Sequence, residues 1–295
     1  MAEIALRACL NAISDVVHNR PRPLREFDQI FMKTADMLLQ TEHVSRLCEG
    51  KRVVFIGDGD AIGLCLVHLH NMRLPERGPK SVHVLDFDER VVFSIRAFAE
   101  RFGLSPKISA ELYNVVDPLL SEHWERFECF YTNPPFGASN HGQSVEAFLR
   151  RGMEAVGSNA IGCLVLADDP SSLWTRAARL LVQSGFMISE LLPEFHHYHL
   201  DDAPELTSCS MVVHRTVGPG TRSLRGSRSS GQNMRWFWTP YSPVQSTLRL
   251  HNMSWESGRA AGRMPLRIYK AALIRDVLYV DLDRALLRHR SAQGA

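Results

Sequence analysis

The sequence predicts an α/β fold of Rossmann-like type, with a mostly parallel sheet, an antiparallel C-terminal strand and a helical N-terminal extension. Three observations carry that expectation. Short apolar or β-branched runs alternate with stretches of helical period. A glycine-rich turn, Gly57-Asp58-Gly59-Asp60, closes the first of these runs. The last two runs follow one another with no helical stretch between them. A chain of 295 residues, 45% hydrophobic and 22% charged, can bury a full core and suits one α/β domain with extensions.

Each element has its own signal. Residues 3–18 place Ile4, Leu6, Leu10, Ile13, Val16 and Val17 at helical spacing, and the pattern stops at Asn19-Arg20-Pro21-Arg22-Pro23. Phe31 to Leu47 is again helical in period, and VVFIG (53–57) then reads as a buried strand. The alternation continues with a helix at 61–72, VHVLD (82–86), a helix at 89–102, a polar strand near 110–115, CFYTN (129–133) and a helix at 143–156. It ends with IGCLVLA (161–167), a helix at 171–184, FMISELL (186–192) and SCSMVVHR (208–215). Strands joined by helices of this length imply right-handed βαβ units and helices on both sheet faces. A final antiparallel pair is how a class I methyltransferase-like sheet closes.

Composition excludes several classes. No apolar run approaches the roughly 18–20 residues that span a bilayer, and Glu3 and Asp15 interrupt the start where a signal peptide needs an apolar stretch. A cytoplasmic chain without a membrane partner is expected. Cys9, Cys48, Cys65, Cys129, Cys163 and Cys209 form no C-x-x-C pair and sit among apolar neighbours, as small buried residues do. The charge is divided: residues 221–295 hold 13 basic against 4 acidic side chains, whereas the rest holds 21 against 28. Residues 217–233 are rich in Gly, Ser and Arg. Three parts follow: an N-terminal helical extension (1–47), a transferase-type domain (48–216) and a basic C-terminal extension (217–295).

The candidate site lies at successive strand ends. In a Rossmann-like domain the turn after the first strand lets backbone approach a ligand, which nominates Gly57, Asp58 and Gly59. Asp86, closing VHVLD, is the ribose candidate; Asp88 and Glu89 suit the start of the next helix. Asp117, after the third strand, stands where an adenine amino group would lie. Thr132-Asn133-Pro134-Pro135-Phe136-Gly137 is the most specific signal. Two prolines stiffen that turn and remove donors, so the Asn133 side-chain oxygen and the Pro134 carbonyl can take both N–H bonds of an acceptor amine while Phe136 packs on it. Asp60 either caps the helix starting at Ala61 or serves the attacking amine. Asp168, Asp169 and Asp202, with Asp201, Glu194 and Glu205, would place acids on an acceptor rim and attract a polycation. His196-His197-Tyr198-His199 lacks matching carboxylate or cysteine spacing, reads as a polar loop and suggests no metal.

These residues carry two resemblances. NPPFG followed by Asn140, Gly142 and AFL (147–149) resembles the amino-methyltransferases of the NPPY/F type, especially the ribosomal-RNA adenine-N6 group. The segment P-x-P…EFDQ-x-F (21–31), the G-D-x-D turn (57–60), LDFDER (85–90) and FLRRG (148–152) together resemble the branched-chain polyamine synthase family, N4-bis(aminopropyl)spermidine synthase. That resemblance implies aminopropyl transfer from decarboxylated S-adenosylmethionine, with Asp60 as the catalytic aspartate and Gln29 and Phe87 beside the cofactor. Gly59 stands where that family has Asp.

Three functions remain open on these readings. The first is aminopropyl transfer to a small cationic, polyamine-like amine. The second is methyl transfer from S-adenosylmethionine to an amino group of RNA, DNA or a small amine, with the basic tail and Trp236, Phe237 and Trp238 holding nucleic acid. The third is a catalytically silent nucleotide-binding module. A homodimer is compatible with each.

Overall fold

The computed structural model describes residues 2–216, apart from 75, 137–141, 170, 200–202 and 204. The basic tail with its Trp-Phe-Trp cluster, and the acceptor-rim candidate Asp202, lie outside the described residues. Two helices lead, α1 (Ala2–Asn19) and α2 (Thr34–Leu47). Then come β1 (Arg52–Ile56), α3 (Ile62–Asn71), β2 (Ser81–Asp86), α4 (Glu89–Arg101), β3 (Ile108–Leu112) and β4 (Phe127–Thr132). The chain continues through α5 (Gln143–Ala155), β5 (Val156–Ala167), α6 (Ser171–Gln183), β6 (Phe186–His197) and β7 (Thr207–Arg215).

The seven strands pair in the order β3-β2-β1-β4-β5-β7-β6. Strands β1 to β5 run parallel, and β7 is antiparallel to both β5 and β6. The expected mixed sheet is therefore present, and its first four strands point their carboxyl ends toward one edge. One core packs α1 to α4 against a sheet face through Ile13, Val16, Met37, Val44, Phe55, Ile62, Val82, Val84 and Phe98. A second core lies on the opposite face, where Val54, Ile56, Phe130, Phe148, Leu149, Leu164 and Leu181 meet. Helices α1 and α2 thus share their apolar contacts with the sheet.

Several expected boundaries move. Phe31-Met32-Lys33 is extended instead of opening the second helix, which begins at Thr34. Met32 pairs antiparallel with Tyr198; the Lys33 amide donates to the His197 carbonyl and the His199 amide to the Phe31 carbonyl, each at 2.9 Å. Tertiary pairing wins over helical period here because both segments are largely buried and must satisfy their backbone groups. The same pairing corrects the reading of His196–His199 as a polar loop: β6 runs to His197, and His196 is fully buried between Ser208 and Gln40, each 2.8 Å from a ring nitrogen. The third strand ends at Leu112, so Tyr113–Val115 lies beyond it. Strand β5 starts at Val156, directly out of α5, five residues ahead of the expected start.

Candidate functional site

The turn after β1 is built by its glycine and its aspartates. Gly57 has φ +73°, and a Cβ there would meet the Phe148 ring at 2.8 Å, so both conformation and space demand glycine. The Asp58 carboxylate accepts from the amides of Ile62 and Gly63, at 2.8 and 2.9 Å, and so caps α3. Asp60 is thereby spared the capping role that its position next to Ala61 would suggest.

Asp60 is 4% exposed and gathers partners from three distant segments. The Met32 amide donates to Oδ1 at 2.8 Å, Asn133 Nδ2 donates to Oδ2 at 2.8 Å, and the Arg20 guanidinium lies 3.6 Å from Oδ1. Arg20 is itself stacked over the Phe31 ring, 4.2 Å from its centroid. Because Nδ2 of Asn133 faces a carboxylate, its amide orientation is fixed and Oδ1 is turned away from Asp60. The Asn133 side chain also lies within hydrogen-bonding reach of Tyr198. The Phe136 ring meets the Tyr198 ring edge-on, with centroids 6.0 Å apart. Ser144 donates to the Pro135 carbonyl at 2.9 Å and steadies the diproline turn.

The neighbouring strand end is tied to this turn. Asp86 accepts from the Asp58 amide through Oδ2 and from the Asp88 amide through Oδ1, both at 2.9 Å. The Gly57 amide donates to the Leu85 carbonyl, the Tyr113 amide to the Asp86 carbonyl, and the Thr132 hydroxyl to the Ile56 carbonyl, each at 2.8 Å. The ends of β1, β2 and β4 are thus cross-linked into one rigid corner. Burial pushes the Asp86 carboxyl up to about 6 against the pull of the Asp58 and Asp88 amides. It raises Asp58 further, because the Asp60 and Asp86 charges add to it. It raises Asp60 too, although Arg20, the Met32 amide and Asn133 pull the other way. The Tyr131 hydroxyl, buried close enough to feel the Asp58 and Asp60 charges, has no hydrogen-bond partner among the described residues.

Asp117 is exposed just past β3, where the Tyr113 hydroxyl donates to its carbonyl at 2.8 Å. A Cβ added at Gly59 would make an ordinary contact with the Phe31 ring at 3.6 Å, so the position has room for a side chain. Gln29 is committed to Asp88 at 2.8 Å and to the Leu24 amide at 3.0 Å, so it braces the loop after β2 and does not reach Asp60. Asp88 caps α4, as expected. Phe87 packs edge-on against Phe27, with centroids 5.1 Å apart. Asp168 accepts from the Glu194 amide at 3.0 Å, and Asp169 is exposed. Two surface cavities of about 300 and 500 Å³ lie elsewhere, the first lined by Glu146 and Arg176 and the second by His70 and Lys107. Sequence reasoning missed Arg20 and Tyr198. Arg20 sits in the Arg/Pro stretch before the P-x-P, and nothing local shows that it faces Asp60.

Residues 8–221 match the family described as branched-chain polyamine synthase A C-terminal domain. The chain belongs to that family. A Thermus thermophilus protein named N(4)-bis(aminopropyl)spermidine synthase is 30% identical over 184 residues, covering 61% of this chain and 50% of its own. An uncharacterized protein of Methanocaldococcus jannaschii is 32% identical over 170 residues, covering 58% of this chain and 39% of its own. The chain spans about half the length of the curated relatives that it matches. The crystal structure of the Thermus thermophilus branched-chain polyamine synthase, in complex with N4-aminopropylspermidine and 5'-methylthioadenosine, superposes with a TM-score of 0.61 at 24% identity, covering 75% of this chain and 67% of that one. A candidate RNA methyltransferase from Pyrococcus horikoshii gives a TM-score of 0.55 at 16% identity, covering 72% of this chain and 98% of that one. In this member of the family the carboxylates of Asp58, Asp60 and Asp86 lie close enough for the Asp60 and Asp86 charges to act on Asp58, with Gly59 between the first two.

Proposed function

We propose that this chain transfers an aminopropyl group from decarboxylated S-adenosylmethionine to the nitrogen of a polyamine-like amine. The observation that carries the reading is the convergence of Asp60 and Asn133, joined at 2.8 Å, beside the Asp86 corner. On this reading Asp86, whose oxygens also accept the Asp58 and Asp88 amides, would receive the ribose hydroxyls, and Asp117, exposed just past β3, would take the adenine amino group. The first amides of α3, which in a dinucleotide-binding turn would receive a phosphate, are taken by Asp58. That arrangement disfavours a phosphate-bearing nucleotide and suits a donor whose tail is cationic. Family membership and the molecules in the Thermus thermophilus complex, N4-aminopropylspermidine and 5'-methylthioadenosine, support the same reading.

In the reaction, the lone pair of the acceptor nitrogen attacks the propyl carbon next to the sulfonium. A C–N bond forms, the C–S bond breaks, and its electron pair stays on sulfur as the neutral thioether 5'-methylthioadenosine. Asn133 Oδ1 and the Pro134 carbonyl orient the amine N–H groups, and the Asp60 charge holds the developing ammonium and helps its proton to leave. The expected acceptor is a small polycation, drawn in by Asp168, Asp169 and Asp202.

Calorimetry with intact and decarboxylated S-adenosylmethionine, followed by turnover with spermidine, tests this. Decarboxylated donor should bind more tightly than the intact form. Asp60→Asn should leave donor affinity nearly unchanged while lowering turnover by about 100-fold or more. Preference for the intact donor, with methyl appearing on an amine, would establish the second reading, which the NPPF turn favours: N-methyl transfer. Unchanged turnover in Asp60→Asn would remove the catalytic role from that residue.

A further inference from the structure

We infer that His83, Glu111 and His123 form a binding site for a divalent metal of the zinc class. The trio comes from three separate segments, β2, β3 and the 3-10 turn Ser121–His123, and among the described residues its ligand atoms lie within 4.8 Å of one another. His83 Nε2 is 3.5 Å and His123 Nε2 3.0 Å from the same Glu111 oxygen. Donors bound to one tetrahedral ion at about 2 Å each stand roughly 3 to 3.5 Å apart, so the preformed spacing suits a common ion. Two imidazoles and one carboxylate are a borderline-soft set, matched to zinc, cobalt or nickel and not to magnesium or calcium.

Three further features point to a ligand and not to a plain hydrogen-bonded cluster. His83 Nε2 is shielded from solvent and makes no well-formed hydrogen bond, Glu111 Oε2 standing 3.5 Å away, which is costly for a buried ring nitrogen unless a ligand takes its lone pair. His83 Nδ1 lies 2.8 Å from the Ser109 hydroxyl, and a proton on Nδ1 leaves Nε2 aimed at the trio, as an outer hydrogen bond does for metal-bound histidine. The Phe127 ring stacks on His83, 5.9 Å between centroids and 14° between planes, closing one side with an apolar wall. Binding would displace the proton that His123 Nε2 shares with Glu111. The ion would fasten edge strand β3 and the chain that follows it to β2, away from the Asp60 corner.

The test uses the full chain, stripped by chelator and titrated with cobalt as a visible probe. One equivalent should give ligand-field absorption, release protons and be displaced by zinc, while excess magnesium should not compete. Ser109→Ala should weaken cobalt binding about tenfold, and His123→Gln or Glu111→Gln about a hundredfold or more. Circular dichroism confirms that each variant is folded; should His123→Gln fail to fold, Ser109→Ala and Glu111→Gln still decide. No cobalt binding by the wild type would overturn the site, and so would variants that bind as tightly as it does.

Discussion

At the scale of single residues, burial decides how the charged groups behave. His43 in α2 is 8% exposed, its ring edge-on to Phe195 at 5.7 Å, and burial, reinforced by Arg46, lowers its pKa from 6.5 to about 4. The unfolded chain therefore binds a proton at His43 before the folded one does. The stability involved is fully present above about pH 6.5 and is lost as pH falls toward 4, by up to about 3 kcal/mol. Urea midpoints between pH 7 and 4 should show this acid limb, and His43→Gln should flatten it; an unchanged limb would assign it to other groups. Asp86 has the opposite sign. Its raised pKa favours the folded state at low pH, and that contribution fades as pH rises through about 6.

At the scale of elements, the strand-end turn is the part most sensitive to shape. Gly57→Ala would force a side chain into a left-handed backbone and against Phe148 of α5. The expected cost is about 2 kcal/mol or more, measured by denaturant unfolding, with donor binding weakened alongside. Wild-type stability in that variant would mean that the turn is pliable. Much of this element was legible in advance: glycine after an apolar run, Asp86 at a strand end and the Asn-Pro-Pro-Phe turn are local signals. What sequence could not give were pairings set by the tertiary fold. Met32 meets Asp60 where the Phe31–Lys33 segment leaves helical geometry to pair with residues 197–199, and Arg20 reaches it from just past the end of α1. For the same reason His196 and His197 proved to be strand residues, His196 fully buried. The metal trio was hidden because its members are 28 and 12 residues apart and none has a neighbouring ligand pattern.

At the scale of the whole molecule, the two leading helices and the sheet share one core. Ile13 of α1 has no exposed surface and belongs to the same apolar cluster as Val53 and Val82. Ile13→Ala should therefore lower the stability of the sheet itself by about 2–4 kcal/mol, seen as a single shifted melting transition. Two separate transitions, with only the minor one displaced, would make residues 1–47 an independent appendage. The splice between residues 31–33 and 197–199 has a corollary for anyone wishing to re-engineer the chain beside it. Exchanging the stretch after His199 invites a one-residue slip in those rungs, and such a slip would drag the Met32 amide off Asp60. Replacing that stretch and keeping the Met32 amide on Asp60 are mechanically inseparable in this architecture, so a successful swap has to carry both halves of the splice together.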